Sequence, residues 1–127
     1  MISQNVKQLY DVKVTKLGTE VPLLAEEKMI ILFNEEVPEE LHDICILHTT
    51  GELIDSLQVG DVVRFDDEDY CITAVGGEAN RTLAELGHVT FTFDGSQTPM
   101  LPGTIHLENK SLPTIGVGTI IQIQRPA

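Results

Sequence analysis

The sequence predicts an all-β domain: a compact, mostly antiparallel closed β-barrel, or barrel-like sandwich, of about six to eight short strands with one short helix. Three observations carry this. Several stretches alternate apolar and polar residues with the period of two that lets a strand bury one face. Tyr10, Val12 and Val14 alternate with Asp11, Lys13 and Thr15, and Val89, Phe91 and Phe93 alternate with His88, Thr90, Thr92 and Asp94. The segments between such stretches are short and punctuated by Gly, Pro, Asn and acids. At 127 residues the chain suits one domain over 1–127, which buries about two-thirds of the surface its unfolded chain exposes, enough for one core.

Taken in order, the first strand ends at Leu17-Gly18. Residues 18–27, with Gly18, Pro22 and Glu26-Glu27, are expected to form an irregular connection. Met29 to Phe33 is an apolar run of five residues followed by Asn34, short enough to favour a buried strand over a helix. Pro38 with Glu39 and Glu40 suits a turn or two of helix, since proline fits a first helical position and acids favour the first turn. Ile44 to Leu47 is apolar and β-branched at two of four positions, hence extended, and Thr49, Thr50 and Gly51 break it. Leu53 to Gly60 is turn-rich. Val62 to Phe65 and Tyr70 to Val75 form a hairpin around the acidic tip Asp66 to Asp69, which lacks the ligand spacing of a calcium loop. Asn80 to Leu86 is the helix, with Asn80 as cap, Leu83 and Leu86 on one face, and Gly87 at the left-handed C-terminal position. Strands follow over His88 to Asp94, Thr104 to Glu108 and Thr119 to Gln124.

Eight Lys and Arg against 20 Asp and Glu give a net charge of −12, which repels nucleic-acid backbones and anionic lipid surfaces while tolerating a basic protein partner. No apolar run approaches the roughly 20 residues of a membrane span, and the stretch Met1 to Lys7 has no secretory h-region. A cytoplasmic protein is expected, with Cys45 and Cys71 as reduced thiols. Homo-oligomers are open to it through any free Ile- or Val-rich strand edge.

The chemistry concentrates where the Ile44 strand ends in His48-Thr49-Thr50-Gly51. A histidine there has its backbone fixed by the core and its imidazole at the rim, where a partner can reach it. The Thr49 and Thr50 hydroxyls and the Gly51 amide stand by as donors to an anion. The four histidines His42, His48, His88 and His106 are scattered, with no His-x-His or Cys-x-x-Cys, so no metal and no cofactor is expected. Cys45 and His48, three positions apart on a strand, point to opposite faces and form no nucleophilic pair. A phosphoryl-acceptor role asks less. A neutral imidazole, with pKa near ~6.5, attacks phosphorus with one nitrogen while its other N–H is held.

Three blocks bring a resemblance: Ile44 to Leu53, Leu86 to Gly95 (LGHVTFTFDG) and Leu101 to His106 (LPGTIH), with Thr73-Ala74-Val75-Gly76 between them in order. Together they resemble the glucitol/sorbitol-specific enzyme IIA component of the bacterial phosphotransferase system, a compact β-barrel family. The resemblance implies that the phosphocarrier HPr donates a phosphoryl group to His48. It implies in turn that the group passes to a cysteine on the IIB domain of a membrane sugar permease. The chain departs from the family pattern at Thr49-Thr50, where the family has Cys-His, so a second histidine beside the acceptor is missing. The alternative is a non-catalytic barrel that binds a small ligand or a protein, with the histidines as bystanders.

A phosphoryl group on His48 would bring close to two further negative charges, and no Lys or Arg lies within ten residues of it. Neutral donors are therefore expected to meet it. His88 shares a strand face with Thr90 and Thr92, and His106 shares one with Thr104, so at least one of these imidazoles is expected beside the phosphoryl group.

Overall fold

The computed structural model describes residues 6–126. Eight strands close into a barrel: β1 (Lys7–Leu17), β2 (Met29–Asn34), β3 (Ile46–His48), β4 (Val62–Phe65), β5 (Glu68–Val75), β6 (Val89–Thr92), β7 (Thr104–Leu107) and β8 (Ile120–Arg125). Their order around the barrel is β1-β3-β2-β6-β7-β5-β4-β8, with β8 pairing back onto β1. Of the eight pairings six are antiparallel; β2 with β3 and β6 with β7 are parallel. Parallel neighbours need a crossover of about a dozen residues, and residues 35–45 and 93–103 provide the two. Closure gives every strand a neighbour on each side.

The alternation seen in sequence places the side chains. Tyr10, Val12 and Val14 on β1, Ile30 and Leu32 on β2, Val89 and Phe91 on β6, and Ile105 and Leu107 on β7 share the interior with Phe65, Ile72 and Phe93. A smaller apolar cluster of Phe33, Val37, Cys45 and Leu47 lies outside the barrel wall, beneath the crossover 35–45. That crossover contains the expected short helical piece, a 3₁₀ turn over Glu39–Ile44.

Three local expectations are corrected. Residues 18–27 are not wholly irregular: α1 (Val21–Glu26) forms there with Pro22 in its first turn, and it buries none of its residues, so it left no apolar periodicity to read. α2 (Ala79–Leu86) starts one residue earlier than expected, and Asn80 does not cap it. The Asn80 side chain instead accepts the Leu57 N–H at 2.7 Å and donates to the Leu57 carbonyl at 3.3 Å, tying α2 to the 53–60 loop. In the hairpin, Glu68 and Asp69 belong to β5, which leaves Asp66 and Asp67 as a tight turn with Asp66 at φ 55°.

Candidate functional site

His48 is the last residue of β3, and its position follows from register. It pairs with Val14 on β1 and with Asn34 on β2, and it shares the inward face with Ile46. The imidazole is completely buried. Its Nδ1 lies 2.7 Å from the Thr49 carbonyl oxygen and its Nε2 lies 2.8 Å from the Gly87 carbonyl oxygen. A neutral imidazole has one N–H to donate, so it satisfies one of these carbonyls and turns a lone pair toward the other. The sequence placed this ring at the rim within reach of a partner; the structure corrects that. Inward parity carries the ring into the barrel, and the turn after α2 folds across its exposed side.

Gly87 makes that turn possible. It ends α2 in the left-handed conformation at φ 61°, as its place after Leu86 predicted, and donates its N–H to the Leu83 carbonyl at 2.9 Å. A Cβ there would stand 2.7 Å from His48 Cε1 and 3.1 Å from Asn34 Cβ, so the backbone rests directly on the imidazole. Asn34 pins the turn: its Nδ2 donates to the Leu86 carbonyl at 2.7 Å and its Oδ1 accepts the Glu36 N–H at 2.9 Å. On the other side Tyr10 meets the ring edge to face, with centroids 6.1 Å apart and planes at 84°. Sequence reasoning missed Tyr10 and Asn34 as neighbours of His48. The signal was present in the inward parity of Tyr10, but nothing local connects either residue to position 48.

The residues after His48 run on beside β1. Thr49 donates its N–H to the Lys13 carbonyl at 2.9 Å, and its hydroxyl accepts the Lys13 N–H at 3.0 Å. Thr50 is exposed. Gly51 lies so close to β1 that a Cβ would stand 2.5 Å from Val12 Cγ1 and 3.2 Å from the Tyr10 ring.

The other expected imidazoles are not gathered around His48. Strand parity turns His88 away from Val89 and Phe91, to the outer wall, where it stacks on Phe33 at 4.4 Å with its Nδ1 3.1 Å from the Leu32 carbonyl oxygen. His106 likewise turns away from Ile105 and Leu107 and is buried beneath the 93–103 crossover. There its Nδ1–H donates to Asp94 Oδ1 at 2.9 Å and its Nε2 accepts the Met100 N–H at 3.3 Å. His48 faces in while His88 and His106 face out, which is the physical reason the expected grouping does not form. Burial works to raise the Asp94 pKa, but bonds from the Ser96 amide and His106 outweigh it and hold the carboxyl below its ordinary value. For Tyr10, burial pushes the phenol up to about 12. His42 sits in the 3₁₀ turn, between Lys16 and the Val37 carbonyl.

Comparison with known proteins gives this arrangement a context. A family profile described as the PTS system glucitol/sorbitol-specific IIA component matches residues 9–122. The glucitol/sorbitol-specific EIIA components of Shigella flexneri and of Escherichia coli strain K12 are each 33% identical to this chain over 116 residues, covering 91% of it and 94% of their own length. Among solved structures, the PTS system IIA component of Enterococcus faecalis V583 superposes with a TM-score of 0.75 at 29% identity, covering 87% of this chain and 96% of that one. The barrel with His48 walled inside it therefore belongs to the glucitol/sorbitol-specific IIA component family of the phosphotransferase system.

Proposed function

We propose that this chain is a cytoplasmic phosphocarrier that takes a phosphoryl group from phospho-HPr onto Nε2 of His48 and hands it to a cysteine of the IIB domain of a glucitol/sorbitol permease, with no metal or cofactor. The observation that supports it most directly, beside membership of the family, is the fixation of His48. The Thr49 carbonyl, in the segment bonded to β1, stands 2.7 Å from Nδ1; once the Gly87 carbonyl swings away from Nε2, the ring's one N–H rests on Nδ1 as donor to Thr49 and leaves the Nε2 lone pair as the nucleophile. In the first step that lone pair forms an N–P bond while the bond from phosphorus to the donor breaks and its electron pair leaves with the donor. In the second, a thiolate forms an S–P bond as the N–P bond breaks and the pair returns to Nε2.

Such a transfer depends mainly on alignment and on stabilising charge at the phosphoryl oxygens. The Thr49 and Thr50 hydroxyls and the Gly51 amide are the nearest donors along the chain. His88 and His106, engaged on the outer wall, reach the group only if the wall rearranges. The Gly87 carbonyl oxygen, 2.8 Å from Nε2, has to move aside before phosphorus can approach.

Incubation with phosphoenolpyruvate, enzyme I and HPr is expected to add one acid-labile phosphoryl group, and His48→Ala to abolish it. An unmodified wild-type protein would refute the proposal. It would favour a second reading, a non-catalytic binding module. That reading has one observation of its own, an apolar groove of about 400 Å³ lined by Leu17, Val21, Ile30, Ile46, Leu112 and Ile115. The hexitol assignment rests on the family, and unchanged growth on glucitol after deletion of the gene would remove it.

A further inference from the structure

Tyr10 has no part in the reading above, yet its hydroxyl is the one buried side-chain polar atom among the described residues with no hydrogen-bond partner. The residue is 2% exposed. Leaving a hydroxyl unpaired in a core costs free energy that phenylalanine in the same place would not, so the oxygen needs a reason to be there. Its surroundings supply one. Tyr10 lies four residues before Val14, the β1 partner of His48, and on the same inward face, so the phenol meets the imidazole inside the barrel. The two rings meet edge to face at 6.1 Å. Gly51 packs against Cε1 and against Cζ, the carbon that bears the hydroxyl, which sets that end of the phenol over the turn leaving His48. A shallow concavity lined by Gln8, Tyr10, Asp11, Glu52 and Ile54 opens on the same side, and its two carboxylates offer an incoming phosphoryl group no support.

We propose that the Tyr10 hydroxyl donates a hydrogen bond to a phosphoryl oxygen on phosphorylated His48, acting as the neutral donor that this acidic, cation-poor barrel requires. The inference rests on the reading of His48 as acceptor. The bond is made only when the group is present, which accounts for the unpaired oxygen of the unmodified protein. The phenol, its pKa pushed up to about 12 by burial, keeps its proton throughout the neutral range, as an ordinary phenol also does.

Tyr10→Phe removes the oxygen and little else. Urea denaturation should show the variant as stable as wild type or more so, because an unsatisfied polar atom is gone. Phosphoryl transfer from phospho-HPr should nevertheless slow by about tenfold or more, and the ³¹P resonance of the phosphohistidine should shift. A structural hydroxyl would change stability alone, so a variant with wild-type transfer rate and an unmoved ³¹P resonance overturns the proposal. Should the variant fold poorly, the wild-type protein provides the decision. Phosphorylation should bring out a slowly exchanging Tyr10 hydroxyl proton in its NMR spectrum, and the absence of that proton overturns the proposal equally. If wild type accepts no phosphoryl group while folded, both this inference and the acceptor role of His48 fail, an outcome distinct from a null result confined to Tyr10→Phe.

Discussion

Replacing Gly87 with alanine tests the contact on which the site is built. The new Cβ would lie 2.7 Å from His48 Cε1 and 3.1 Å from both His48 Nε2 and Asn34 Cβ, in a residue held at φ 61°. Left-handed backbone costs an L-residue about 1–2 kcal/mol, and forcing a methyl into a filled core costs about 1–3 kcal/mol. Gly87→Ala should therefore destabilise the barrel by about 2–5 kcal/mol, measured by urea unfolding fitted to two states. Gly118→Ala is the control. Gly118 has φ 97° with nothing within 4 Å of the added Cβ, so it reports backbone strain without the steric part. A double-mutant cycle with His48→Ala then isolates the imidazole: emptying position 48 should relieve about 1–2 kcal/mol of the Gly87→Ala penalty. If the two changes add to within about 0.5 kcal/mol, the Gly87 backbone does not rest on His48 and the closed geometry argued above is wrong.

Three further outcomes follow from the same structure. The Cys45 thiol is buried and its pKa is pushed up by that burial, so alkylation by iodoacetamide at neutral pH should proceed only as fast as the protein opens; rapid labelling of Cys45 in the folded protein would contradict this. Asp94 has its carboxyl held below the ordinary value, so its contribution to stability is complete above roughly pH 4 and is lost as pH falls through the lowered native value; Asp94→Asn should flatten the acid arm of the stability curve, and an unchanged arm would refute the assignment. His106→Ala removes the bonds to Asp94 and from Met100 beneath the crossover and should cost about 1–3 kcal/mol in urea unfolding. A loss of phosphoryl transfer beyond what that destabilisation explains would restore His106 as a helper.

The faces of the strands were legible in the sequence because alternation reports which side of a strand is wet. The interior positions of Val89, Phe91 and Phe93 follow from it directly. Alternation does not report direction, and the parallel pairing of β2 with β3 and β6 with β7 left no local trace. The inward turn of His48 was hidden for a related reason. Ile46 packs inside the barrel while Leu47 packs in the outer cluster with Phe33, Val37 and Cys45, so Ile44 to Leu47 reads as an unbroken apolar run with no parity. Gly87 was legible as a left-handed helix end. That its carbonyl lands on an imidazole 39 residues away was not, because it depends on α2 closing over the end of a barrel whose strand order is not local information.

Under the proposed role, a nucleophile sealed in a barrel is useful only if its cover opens at small cost. Two hydrogen bonds hold the Leu86-Gly87 turn over the ring: the Asn34 side chain on the Leu86 carbonyl and His48 on the Gly87 carbonyl. At a net 0.5–1.5 kcal/mol each, their loss costs about 1–3 kcal/mol, which sets an open population on the order of 1–15%. α2 is docked by its buried Ala79 and Leu83 and by the Asn80 bonds to Leu57, so the opening is confined to the Leu86 and Gly87 carbonyls. Under the proposed role, a docking partner would need only to favour the open form by that amount to expose Nε2. Asn34→Ala removes one of the two restraints and should raise the open population about two- to tenfold. The backbone amides of 86–88 should then exchange with deuterium faster by that factor, while those of β4 and β8 stay at wild-type rates. Uniform acceleration across the barrel would mean that the site opens by global unfolding, and the idea of a local cover would fall.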